Sequence, residues 1–181
     1  RCLGCAPSGC EPVKSASAAL PAREDTGVSS RSPRIKALPV FRKRLIGRAD
    51  QVAHIIARLQ LGRLVTLFGY GGVGKTSVAL AVGAAWERLA DADVLFIDLS
   101  RISDASHLWT SILAALDVTP LGDPRGTVLK LLMDSSLLIL LDNCEHIVAD
   151  VAEAASAILS HAPGVRILAT SREELRIVEE E

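Results

Sequence analysis

Leu64-Val65-Thr66-Leu67-Phe68-Gly69-Tyr70-Gly71-Gly72-Val73-Gly74-Lys75-Thr76 is the stretch that decides how this chain folds. Five residues rich in Leu and Val have the length and composition of a buried strand. Four glycines and a Lys-Thr pair follow, and then the apolar succession Val78-Ala79-Leu80-Ala81-Val82 predicts a helix over 75–89, apolar almost all round and so held against a sheet. Gly69 to Thr76 matches G-x4-G-K-[ST] in the strand-before, helix-after setting that this pattern requires. Glycine permits positive φ and close approach, so that successive backbone N–H groups can turn inward around phosphate oxygens. The helix start aims its unpaired N–H groups and positive dipole end at the same place. Gly69, Tyr70, Gly71, Gly72, Val73 and Gly74 are therefore expected to wrap a nucleoside diphosphate or triphosphate. Lys75 is expected to reach the β- and γ-phosphates, and the Thr76 hydroxyl to bind Mg2+. The nucleotide-binding set extends to Ser77.

Outward from this loop, compact runs recur at Val94 to Leu99, Leu137 to Asp142 and Val165 to Thr170, separated by segments long enough for helices. Such alternation predicts an α/β fold with a parallel sheet. Helices are expected over 107–116, 127–133 and 150–161. Another is expected over 50–61, where Val52, Ile55, Ile56 and Leu59 keep helical spacing and Asp50 is the candidate N-cap. Leu137-Leu138-Ile139-Leu140-Leu141-Asp142 is an apolar strand ending in a carboxylate. Beside a phosphate loop, Asp142 suits Mg2+, because a hard cation prefers oxygen ligands. Hydrolysis also needs a group that orients or deprotonates water, and no Glu follows Asp142 directly. Glu145 is the nearest candidate base, with a helix-start carboxylate as the alternative role. Asn143 can orient water but cannot take its proton, so hydrolysis is expected to be slow. Arg172 follows the fourth run and is a candidate γ-phosphate sensor, with surface pairing to Glu173 or Glu174 as the alternative. His146 reads as a hydrogen-bonded structural residue and Cys144 as a small buried hydrophobe.

Taken in order, Leu45-Ile46-Gly47-Arg48, the Gly69–Thr76 loop, Leu-Asp-Asn-Cys-Glu-His and Ala169-Thr170-Ser171-Arg172-Glu173 resemble the STAND ATPases. These are signal-transduction switches related to the NB-ARC and AAA+ ATPases and found within large bacterial transcriptional regulators. The resemblance covers residues 38–177. It implies a P-loop NTPase three-layer sandwich with strand order 5-1-4-3-2, and ATP or ADP with Mg2+ as cofactors. It places Ile46, Gly47 and Arg48 at the adenine, Arg172 as the sensor and Asp142 as the Mg2+ carboxylate. It further implies partner domains of helical, winged-helix or repeat type, and nucleotide-dependent self-association. Tyr70 stands where the family commonly has Pro. With the fifth strand beyond residue 181, the phosphate-loop strand is expected to be a sheet edge. A P-loop kinase or phosphotransferase acting on a small molecule is the alternative function, but no Arg-rich lid is evident over 117–134.

Composition sets the outer limits. The 181 residues are 49% hydrophobic, enough for one sizeable core. A formal charge of -1 lacks the footprint of a nucleic-acid binder, so nucleic acid is expected only through other domains. Only 3% of the chain is aromatic, and Tyr70, Trp86 and Trp109 are too scattered for a base-stacking platform. No apolar run approaches the roughly 20 residues that span a bilayer, and the setting is expected to be reducing and cytoplasmic. Residues 1–39, rich in Ser, Ala, Pro and Gly, read as a disordered tail, with 40–181 as the N-terminal part of the NTPase domain. Cys2, Cys5 and Cys10 read as tail cysteines, since a zinc site needs a fourth ligand. Arg at position 1 suggests a fragment of something longer.

Overall fold

The apolar runs form four parallel strands, and the segments between them form helices on both sides of the sheet. The structure, a computed structural model, describes residues 38–39, 47–90, 92–102, 105–119, 122–173 and 175. The chain divides into residues 1–30 and 31–181, and every described residue belongs to the second unit. In chain order the elements are α1 (Ala49–Leu61), β1 (Leu64–Phe68), α2 (Lys75–Ala90), β2 (Asp93–Asp98), α3 (Leu108–Ala115), α4 (Pro124–Leu132), β3 (Leu137–Asp142), α5 (Val148–His161) and β4 (Arg166–Ser171). Two 3-10 turns, Ala105–His107 and Cys144–His146, precede α3 and α5.

The sheet order is β1-β4-β3-β2. It agrees with the expected order for these four strands, and all three pairings are parallel. Among the described residues β1 pairs with β4 alone, so the strand that feeds the glycine loop is a sheet edge.

Strand alternation sorts the core into two layers. Leu138 and Leu140 of β3, Leu168 of β4, Val65 of β1 and Val94 of β2 pack with α1 and α2, including Ile55, Leu59, Val78, Val82 and Trp86. The alternate residues Leu137, Ile139 and Leu141, with Ile167 and Ala169, pack with α3, α4 and α5. Polar side chains fasten the helix ends to this frame. Arg63 Nη1 donates to the Leu159 carbonyl in the last turn of α5 at 2.7 Å. Arg166 Nε donates to the Leu59 carbonyl of α1 at 2.8 Å, with its guanidinium 5.4 Å from the Trp86 ring centre.

Several helix starts depart from the sequence expectation, and capping chemistry decides one of them. Helix α1 starts at Ala49, and Arg48, not Asp50, holds the N-cap position without a side-chain cap. Asp50 instead lies in the first turn, where its charge faces the positive end of the helix dipole. Helix α4 starts at Pro124, three residues before the expected Thr127. Asp123 caps it by accepting from the amides of Arg125 at 3.1 Å and Gly126 at 2.9 Å. An Asp cap followed by Pro at the first helical position is a strong start signal that apolar periodicity alone passes over. Helix α5 starts at Val148 instead of Asp150, and the 3-10 turn before α3 takes His107.

Candidate functional site

In a parallel sheet every strand delivers its last residue to the same edge, and here that edge collects Phe68, Ser171, Asp142 and Asp98. The glycine loop leaves β1 at this edge, with φ of 147° at Gly69, 81° at Gly72 and 92° at Gly74. A side chain is strained at each of these angles, which is the local reason that the loop is glycine-rich. Lys75, the first residue of α2, folds back so that Nζ donates to the carbonyls of Gly69 at 2.7 Å and Tyr70 at 3.1 Å. Arg48 reaches the loop from the start of α1, donating from Nη2 to the Val73 carbonyl at 2.9 Å and from Nη1 to Gln51 Oε1 at 3.1 Å. Beneath this bridge is a cavity of about 190 Å³, lined by Arg48, Gln51, Leu67, Phe68, Val73 and Lys75 among others. Thr66 also lines it, and its hydroxyl is buried without a hydrogen-bond partner among the described residues.

Strand parity explains how Asp142 meets the loop. Leu138 and Leu140 face the α2 layer, so Asp142 faces it too. Asp142 is 3% exposed. Thr76 Oγ1 lies 2.9 Å from both of its carboxylate oxygens. The Thr170 hydroxyl donates to Oδ1, and Asn143 Nδ2 donates to Oδ2 at 3.1 Å. Thr76 and Asp142, each read from the sequence as a Mg2+ ligand, are thus in direct contact with one another. Ser77 lies half-buried in the first turn of α2.

The residues after β3 divide their tasks. Asn143 adopts a left-handed conformation, φ 63° and ψ 52°, which Asn tolerates better than most residues. Its side-chain amide bridges Asp142 and Asp98, reaching Asp98 Oδ1 at 3.2 Å. Cys144 is buried, and burial together with the nearby charges of Asp142 and Glu145 pushes its thiol up to about 12. His146 Nε2 is 2.6 Å from the Ile102 carbonyl, a structural contact as expected. Glu145 Oε1 accepts from Arg172 Nε at 3.0 Å. Arg172 thus pairs with the residue read as a candidate base, and Glu174, one of its two expected surface partners, lies outside the described residues.

Asp98 is the member of this edge that sequence reasoning passed over, although it ends an apolar run just as Asp142 does. The register that pairs Asp98 with Asp142 across β2 and β3 brings it into the cluster. Burial alone would raise the Asp98 carboxyl, but hydrogen bonds from the Ser100 backbone and side chain and from Asn143, with the Arg101 charge, bring it below its ordinary value. Thr170 was likewise missed as a donor to Asp142. Gly47 has φ 72° at the entrance to α1. Ile46 and the Cys2, Cys5 and Cys10 cluster lie outside the described residues. No described helix is long and apolar enough to cross a membrane.

The order of strands, the glycine loop and the facing carboxylate give an α/β domain with the parallel-sheet fold of P-loop ATPases. Two solved structures share the fold. A Cdc6p protein from Pyrobaculum aerophilum superposes with TM-score 0.55 at 17% identity, covering 76% of this chain and 41% of that one. The ORC2 protein of Aeropyrum pernix, solved as ADPNP and ADP complexes, superposes with TM-score 0.50 at 20% identity, covering 74% of this chain and 43% of that one. No family model matches the chain. In sequence it is 37% identical over 121 residues to a Mycobacterium tuberculosis protein provisionally named an HTH-type transcriptional regulator, 66% of this chain but 14% of that protein. It is 31% identical over 137 residues to an uncharacterised protein of the same organism, 75% of this chain and 35% of that protein. The chain therefore spans well under half the length of these curated relatives.

Proposed function

We propose that this chain is an adenine-nucleotide switch module of the STAND type, binding ATP or ADP with Mg2+ and hydrolysing ATP slowly. The observation that carries the reading is the contact of Thr76 Oγ1 with both oxygens of Asp142 at 2.9 Å. A hydroxyl and a buried carboxylate, brought together beside a glycine loop at a helix start, form an all-oxygen donor set that fits Mg2+. Mg2+ supplies charge neutralisation at the phosphate oxygens when bound. The backbone N–H groups of Gly69 to Thr76 cradle the phosphates. Lys75 exchanges the carbonyls of Gly69 and Tyr70 for phosphate oxygens. Ile46, Gly47 and Arg48 receive the base, a role supported by the cavity beside Arg48. Arg172 reads the γ-phosphate. Slow turnover follows from Asn143, which occupies the place after Asp142 and cannot take a proton.

The mycobacterial relative's name supports a place within a cytoplasmic transcriptional regulator, where other domains contact nucleic acid and nucleotide state sets self-association. Equilibrium titration with fluorescent Mg-ADP and Mg-ATP analogues tests the core of the reading. Lys75→Ala should weaken both by at least about a hundredfold, since losing a charged contact of about 3 kcal/mol corresponds to that factor. Affinity like that of the wild type would overturn it.

A further inference from the structure

We infer that Glu145 is a positioning residue for Arg172, holding the guanidinium over the glycine loop, and not the base that takes a proton from water. The inference rests on the nucleotide-switch reading and deepens it.

The two residues come from neighbouring strands, Glu145 from the turn after β3 and Arg172 from the end of β4. Arg172 uses Nε for the 3.0 Å contact with Glu145 Oε1. Its terminal nitrogens make no hydrogen bond among the described residues, and Nη2 extends to the loop, 4.0 Å from where a Cβ on Gly71 would lie. A guanidinium anchored through Nε keeps its outer fork available, and that fork matches phosphate oxygens in planar geometry. Glu145 is the more sheltered partner, with side-chain exposure of 26% against 67% for Arg172. The anchored end is thus the carboxylate, and the arginine is the arm. Fixing one end of a long side chain reduces the rotamer freedom lost when the other end binds. Anchoring therefore favours a ligand that offers a terminal phosphate beyond those held by the loop itself.

The two roles for Glu145 separate in a double-mutant cycle on the full chain, using Mg-ADP, Mg-ATP and single-turnover hydrolysis. Arg172→Gln is expected to lower the ratio of ATP to ADP affinity about tenfold, the scale of one charge-assisted contact. Glu145→Gln should lower the ratio about threefold to fivefold, and Glu145→Asp should recover part of that loss. Glu145→Gln combined with Arg172→Gln should match Arg172→Gln alone within about twofold, because Glu145 acts through the arginine. Hydrolysis in Glu145→Gln should fall no further than in Arg172→Gln.

The inference is overturned if Glu145→Gln leaves the ratio unchanged while cutting hydrolysis by about a hundredfold or more, the loss expected of a general base. Additive effects in the double variant overturn it as well. A merely structural pair would lower the melting temperature of the ligand-free chain and leave the ratio alone. If the wild-type chain binds neither nucleotide, the switch reading falls together with this inference, whereas additivity in a nucleotide-binding chain removes only the inference.

Discussion

Replacing Asp142 by Ala tests how far the buried carboxylate organises this edge before any ligand arrives. Asp142 is 3% exposed and accepts from Thr76, Thr170 and Asn143. Hydrogen bonds to a charged acceptor contribute about 1.5–3 kcal/mol each, so three of them amount to roughly 5–9 kcal/mol before opposing effects. Keeping a carboxylate from water costs several kcal/mol, and the freed hydroxyls can turn toward solvent or backbone acceptors. The net loss for Asp142→Ala should therefore be about 2–3 kcal/mol. For a folded unit of this size that corresponds to a fall in Tm of about 10 °C. Urea unfolding followed by circular dichroism, with a thermal melt beside it, measures both quantities. Asp142→Asn keeps the volume and one acceptor and should lose less than half as much. Stability of Asp142→Ala within about 0.5 kcal/mol of the wild type would refute the reasoning, because the three donors would then contribute nothing that water does not replace.

Gly164→Ala should destabilise the chain by about 2 kcal/mol, since a Cβ there would lie 2.5 Å from the Ser135 carbonyl oxygen and the backbone must shift to admit it; urea unfolding measures the loss. Thr66→Val should raise stability by about 1 kcal/mol in the same assay, because it replaces a buried hydroxyl that has no partner among the described residues by a methyl group of similar shape. Asp98 has a folded-state value below its ordinary 3.8, so its contribution to stability is present above pH 3.8 and is lost as pH falls through the lower folded value. Asp98→Asn should therefore flatten the acid end of the stability profile below about pH 4, and unchanged acid steepness would remove Asp98 from that account.

Much of the fold was legible because its signals are local. The strands Leu64–Phe68 and Leu137–Asp142 have the ends expected from their apolar runs, and β2 and β4 are displaced by one residue. Parallel strands buried on both faces must be apolar throughout, and that requirement is written in consecutive residues. Helix starts were less legible, since Asp123 and Pro124 mark α4 by capping chemistry while the apolar spacing begins later. Within the site, the loop and Asp142 were readable because spacing along the chain specifies both. The pairing of Glu145 with Arg172 was not, because 27 residues separate them and only the adjacency of β3 and β4 joins them.

By itself the sequence determined the α/β class, the parallel sheet, the glycine loop at the head of α2 and the carboxylate that faces it. These follow from runs, periods and residue types within short windows, where the physics of strand burial and of positive φ acts. Tertiary structure alone decided which carboxylate meets which cation. Parity sends Asp142, Thr170 and Asp98 to the α2 side of the sheet, and register sets Asp98 beside Asp142. The left-handed turn at Asn143 precedes the 3-10 turn from which Glu145 reaches Arg172. Side-chain hydrogen bonds extend only about 3 Å, so residues far apart along the chain acquire a chemical relation only once the sheet has aligned its strand ends.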